Sequence, residues 1–132
     1  VIAGLATGAL AGSMPGSLPG PALVAAVLVA GALGSVLRYG VSRWIPGRFP
    51  WAVLVVNVVG SAIAGAVVAG TSGGIRLILV TGFCGGLTTF STFSVESVQL
   101  VLAGRARAAL LSVGANLVLG GGAAAAGYYL VG

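Results

Sequence analysis

Residues 81–97, TGFCGGLTTFSTFSVES, interrupt a chain that is otherwise almost entirely hydrocarbon. They gather glycines, a run of hydroxyls, three phenylalanines and the only carboxylate, Glu96. Of the 132 residues, 58% are hydrophobic and 5% are charged, whereas a soluble domain carries about a quarter charged residues. Six arginines and one glutamate cannot cover the surface of a soluble fold of this size. The solvent this composition demands is a lipid bilayer.

Four apolar stretches follow one another at about residues 22–44, 50–70, 75–103 and 107–131. As helices rising about 1.5 Å per residue, each is long enough to cross a hydrocarbon core of about 30 Å. The connections IPGRF, TSGG and GRAR are short, which makes consecutive helices antiparallel neighbours. The expected fold is an all-α membrane protein, a bundle of four transmembrane helices over residues 22–132. Residues 1–21 read as a flexible lead-in. Their apolar part is too short to span, and three prolines among small residues follow it. No basic residue precedes that apolar part, so a signal peptide is not expected.

Glycine is frequent inside the spans, where it lets helix backbones approach in lipid. The pairs Gly60 and Ala64, Ala62 and Ala66, and Gly65 and Ala69 suit such packing on the second span, as do Gly120 to Gly122 on the fourth. The third span is longer than the others and carries GGLTTFSTF at its centre, a place for a helix to break. Peptide groups freed at membrane depth are tolerated only when buried in protein or lining a cavity. In transporters such breaks serve ions.

The inventory of reactive groups is sparse. The chain has no His, Lys or Asp, one Glu and one Cys. Neither a general acid–base pair nor a metal cluster can be assembled, so no enzyme is expected. Cys84 reads as a small packing residue. Arg38, Arg43, Arg48, Arg76, Arg105 and Arg107 lie scattered at the ends of apolar runs. They form no water-exposed stripe for nucleic acid.

The remaining polar groups are few enough to take one by one. Asn57 lies within the second span, where its amide must be satisfied. A helix–helix hydrogen bond and a permeation role both meet that need. Asn116 on the fourth span poses the same choice, with the helix–helix bond the expected outcome. Phe90 and Phe93 share a helix face, and aromatic ring edges carry partial positive charge. Thr88, Thr89, Ser91, Thr92 and Ser94 supply hydroxyls beside them. Glu96 is a proton carrier, a cation ligand, or the partner of an arginine near the membrane end; the last is the expected role. Arg38 snorkels to the interface or draws anions into a vestibule. A pathway lined by donors and ring edges, with almost no carboxylate, favours a small anion over a metal cation.

The stretches GALGSVLRYG on the first span, VNVVGS on the second and GFCGGLTTFSTFSVES on the third resemble the CrcB/Fluc family of fluoride channels. The similarity covers roughly residues 24–132. The resemblance implies a four-helix subunit, working as an antiparallel dimer with two fluoride pathways in the cell membrane. It implies that Phe90, Phe93 and Asn57 line those pathways, with Ser91 and Thr92 on a polar track beside the rings. It implies a structural sodium ion at the dimer axis, held by the backbone carbonyls of Gly85 and Thr88 from both subunits. Arg38 and Glu96 also fall on family positions. The family's fourth span often carries a Tyr and, four residues later, a Ser facing the pathway. Here Ser112 and Asn116 occupy those places, so the detail of that track differs.

Charge adds an expectation about orientation. With alternating spans, Arg43, Arg48, Arg105 and Arg107 flank one side and Arg76 the other. The positive-inside rule then puts the first and third loops in the cytoplasm and both termini outside. The partner is an antiparallel copy or an oppositely inserted homologue. Two alternatives to a passive fluoride exporter fit less well. A proton-coupled four-helix transporter of the small multidrug type needs a carboxylate early in the chain, and the first span has none. A non-transporting assembly subunit leaves the clustered hydroxyls and rings unexplained.

Overall fold

The computed structural model describes residues 19–132. Helix α1 runs over Gly20–Trp44 and α2 over Trp51–Gly70. The third span, Gly73–Leu102, is divided. Its first part, α3, covers residues 73–87, and its second part, α4, covers Ser91–Leu102. Helix α5, Ala106–Val131, completes the bundle. The four apolar spans stand where the sequence puts them, within a few residues. Most of the expected lead-in at 1–21 lies outside the described residues. Its last two positions, Gly20 and Pro21, already form the first turn of α1, where the missing proline N–H costs nothing.

Antiparallel order is fixed at both ends by arginine. Arg105 Nη1 donates to the Arg48 carbonyl at 2.6 Å, joining the third loop to the first. At the opposite end Arg76 Nη2 donates to Val68 O at 2.8 Å, and Arg76 Nε to Thr71 O at 3.0 Å. The last carbonyls of α2 have no helical partner, and Arg76 supplies one. The second and third connections are tight because Gly73 (φ 61°) and Gly104 (φ 77°) occupy the left-handed region.

Close packing comes from small residues. Helices α2 and α5 lie against each other with Gly65 on the Ala124 backbone and Gly127 on the backbone of Ala62 and Ala66. Helix α1 crosses α3 as closely, Gly31 meeting Gly86 and Gly34 meeting Phe83 and Leu87. A methyl group at any of these contact glycines except Gly31 would strike the facing backbone. Gly121 and Gly122, expected to pack in the same way, face open space within the chain; Gly127 takes that role instead. One feature has no clear signature in the sequence: Leu77–Cys84, inside α3, is π-helical, a wider winding frequent near functional sites.

Buried side chains form only a thin core, with Leu23, Val53, Leu54, Val56, Cys84, Leu87, Leu100 and Ala109 among them. Leu28, Val36, Leu117, Val118 and Leu130 point outward and stay exposed. Such a surface is stable only against acyl chains or another apolar protein face. The fold is thus a multi-pass membrane bundle.

Gly65→Leu should destabilise the purified protein by about 1–3 kcal/mol, the usual cost of overpacking. A lowered thermal midpoint in detergent checks it; an unchanged midpoint would contradict the α2–α5 contact.

Candidate functional site

The third span breaks immediately after the paired glycines. Thr88 adopts extended backbone (φ −82°, ψ 159°) and ends α3. Phe90 returns to helical angles (φ −88°, ψ −37°), and its carbonyl accepts the Ser94 N–H at 2.9 Å to open α4. Thr89 lies between them and is 7% exposed. In an unbroken helix its N–H would go to the Gly85 carbonyl. Here it donates to Asn57 Oδ1 at 2.9 Å, and the Thr89 carbonyl accepts Asn57 Nδ2 at 3.2 Å. One side-chain amide from α2 satisfies both the N–H and the C=O of a residue stranded at membrane depth.

That pairing fixes the whole amide network. A backbone N–H requires an oxygen, so Asn57 can face Thr89 in only one orientation. Its second amide hydrogen then reaches Asn116 Oδ1 at 2.9 Å, and Asn116 Nδ2 donates to the Ser112 carbonyl at 2.8 Å. The Thr89 hydroxyl accepts the Thr92 N–H at 3.1 Å and so caps α4, and it also donates to Thr92 Oγ1 at 3.1 Å.

Three hollows run from the break toward the arginine-rich end. The first, of about 290 Å³, is bounded by Asn57 and Ser61 of α2, Thr88 to Phe90 of the break, Phe93 of α4, and Asn116 and Leu117 of α5. Phe90 is 80% exposed, and its ring centre lies 6.0 Å from that of Phe93 with a 44° tilt. The second, of about 220 Å³, lies beyond Thr89 and includes Ser35, Arg38, Thr92 and Glu96. The third, of about 290 Å³, includes Arg48, Glu96 and Gln99. Thr89 borders the first two and Glu96 the last two.

Several expected residues come together here and others do not. Asn57, Phe90, Phe93 and Asn116 border one cleft, whereas Thr92 borders the neighbouring hollow. Ser91 is exposed, 3.4 Å from the Thr89 hydroxyl. Ser112 is 1% exposed, its hydroxyl has no partner, and it lines none of the three hollows. Arg38 neither snorkels free nor meets Glu96: its Nη1 donates to the Thr88 carbonyl at 3.1 Å. The expected arginine partner of Glu96 is accordingly missing among the described residues, and Glu96 Oε2 is buried without a hydrogen bond. Arg38 is committed to the break, and Arg105 is committed to the first loop. The sequence showed Thr89, the knot of the network, only as one hydroxyl among several beside the rings, and it did not single out Ser61. The latter stands one helical turn beyond Asn57 on the same face, a signal the spacing did contain.

The carbonyls expected to hold sodium both lie at the break. Because Asn57 captures the Thr89 N–H, the Gly85 carbonyl loses its helical partner, and Gly85 is exposed. The Thr88 carbonyl accepts from Arg38 and keeps a second lone pair. Both are hard oxygens at the C-terminal, negative end of α3. The donor set fits an alkali cation. Among the described residues no cluster of His, Cys, Asp or Glu could hold any other metal.

Four apolar spans, a third one broken at mid-depth, and a cleft of donors and ring edges at that break define a small membrane protein built around a conduit for ions. The family model described as "CrcB-like protein, Camphor Resistance (CrcB)" matches residues 25–128, and the chain belongs to that family. It is 40% identical over 118 residues to the "Fluoride-specific ion channel FluC" of Nitrobacter winogradskyi, covering 82% of this chain and 94% of that one. Against the protein of the same name from Thermus thermophilus the identity is 42% over 115 residues, covering 80% and 91%. Against "Fluoride-specific ion channel FluC 2" of Bacillus subtilis it is 44% over 104 residues, covering 74% and 79%.

Asn57→Ala should leave the buried Thr89 peptide unpaired and cost about 2 kcal/mol or more. Thermal unfolding in detergent reads the loss, and a wild-type midpoint would show that the clamp is dispensable.

Proposed function

We propose that this chain is the subunit of a fluoride-selective channel of the cell membrane, exporting fluoride passively and so lowering its cytoplasmic concentration. The observation that carries the reading is the cleft at the break. It offers amide and hydroxyl groups and the rings of Phe90 and Phe93, and no carboxylate borders it. The names of the relatives point to the same ion.

The chemistry follows from what the wall lacks. A carboxylate would repel an anion, and a full cationic charge within the cleft would hold it too long for conduction. Neutral donors and positive ring edges attract an anion moderately. In acid medium HF enters a cell and dissociates. A pore then returns the ion down its gradient without coupling to protons. The small multidrug alternative lacks support, because Glu96 stands outside this cleft and no other carboxylate exists.

A second subunit belongs to this reading. Phe90 is exposed and the cleft opens on the flank of the single chain, so an antiparallel copy or an oppositely inserted homologue is needed to close it. The carbonyls of Gly85 and Thr88 from both subunits would hold a structural sodium ion at the shared axis. When bound there it would supply positive charge between the two breaks, as a structural ion and not as cargo. Arg43, Arg48, Arg105 and Arg107 at one end favour a cytoplasmic position for the first and third loops.

Purified protein in liposomes should release trapped fluoride into chloride-free buffer, as read by a fluoride electrode. Phe90→Ile should slow that release at least about tenfold while the assembly elutes unchanged; full flux would remove the ring from the pathway. Reporter fusions at the C-terminus should signal from the external side alone, and equal signals from both sides would refute a fixed orientation.

A further inference from the structure

Toward the arginine-rich end of the molecule, α4 and α5 leave a groove of about 440 Å³ between them, sharing no lining residue with the three hollows around the break. Val98, Val101 and Leu102 of α4 form one wall, and Leu110 and Val113 of α5 the other. Ala109 is buried at its base, whereas Leu102 and Leu110 on its rims are 81% and 73% exposed. The one hydroxyl on the wall is already spent, because Ser97 Oγ donates to the Phe93 carbonyl at 2.7 Å. The groove offers hydrocarbon and nothing that an ion would seek.

Its outer end is basic. Ala106, the first residue of α5, borders the groove, and the next residue, Arg107, is exposed. Arg107 precedes Leu110 by one turn on the same helix face. Helical side chains lean toward the N-terminus, which carries this guanidinium away from the hydrocarbon and toward headgroup level. Arg105 stands immediately before the helix, and its Nη1 is held by the Arg48 carbonyl, a neutral partner that leaves the charge uncompensated. The single carboxylate of the chain, Glu96, borders two other hollows and not this groove.

That imbalance of charge selects the occupant. A second copy of this chain would bring six arginines and one carboxylate, and the Oε2 of that carboxylate is buried within its own fold. Such a face cannot neutralise Arg105 and Arg107. A lipid tail fits the groove, but every phospholipid has tails, and these are as apolar as leucine; only the headgroup makes a choice. We propose that the α4–α5 groove is a binding site for an anionic phospholipid, one acyl chain lying between Val101 and Leu110 and the phosphate meeting Arg107 and Arg105. The site uses nothing from the cleft at the break and stands apart from the ion that passes there.

Native mass spectrometry of the purified assembly in neutral detergent tests the site, with phosphatidylglycerol and phosphatidylcholine of identical chains as probes. The wild-type assembly should retain phosphatidylglycerol with a Kd about tenfold or more below that of phosphatidylcholine, since each arginine near an anionic headgroup is worth about fivefold. Arg107→Gln should weaken phosphatidylglycerol about fivefold and leave phosphatidylcholine unchanged. Val101→Trp fills the groove with both arginines in place and should lower retention of both lipids while the assembly elutes as before. Glycerol phosphate, the charged group without tails, should not displace the bound lipid. Equal retention of the two lipids by the wild type would overturn the headgroup assignment. Undiminished phosphatidylglycerol in Val101→Trp, or its displacement by glycerol phosphate, would remove the chain from the groove. Elution of Val101→Trp as single subunits would give the groove to a second copy of the chain and overturn the lipid.

Discussion

An unpaired peptide group cannot survive in hydrocarbon, and the whole arrangement depends on how this chain meets that constraint at Thr89. Lipid supplies no hydrogen bonds, so opening a transmembrane helix exposes groups that each cost several kcal/mol. The α2 amide returns both bonds to Thr89. Once it does so, α3 can end at residue 87, α4 can begin on a new line, and the Gly85 carbonyl is released. The placement of the rings, the hydroxyl cap and the freed carbonyl oxygens follows from that one pairing.

The sequence made the bundle legible because its signals are collective. Four long apolar runs with short polar connections leave few other folds, and the composition of residues 85–93 marks the break. The site was legible only in part, since hydrogen-bond partners are decided by distance and angle between helices. Asn57 and Asn116 could be singled out as buried amides, but nothing in their spacing tells that one donates to the other. Glu96 and Arg38 showed the same limit. Opposite charges in a chain with one acid invite pairing, yet the guanidinium lies closer to a freed carbonyl than to the carboxylate. Gly121 and Gly122 belong to a run that looks like packing, whereas helix rotation brings Gly127 to the seam.

Charge and selectivity divide between the ends of the molecule and its middle. At one end arginines share hollows with the single acidic side chain, Glu96, without bonding to it, and at the other Arg76 is absorbed by α2. Arginine attracts every anion in proportion to charge and makes little distinction between fluoride and chloride. On the proposed reading, discrimination by size falls to the neutral wall at the break, where polar groups are held by the backbone network. The separation explains how a strongly basic chain can have an uncharged cleft at its middle.

The π-helical stretch Leu77–Cys84 acts as a phase setter for everything beyond it. Each residue of an α-helix turns the chain by about 100°. Rewound as α with the same number of residues, this segment would swing the second half of the span around its axis by roughly that angle or more. Thr89 would then point away from α2 with no amide to receive it. The wide turn is a spacer that brings a later peptide into register with a partner on another helix, and the chain has little freedom to lose it.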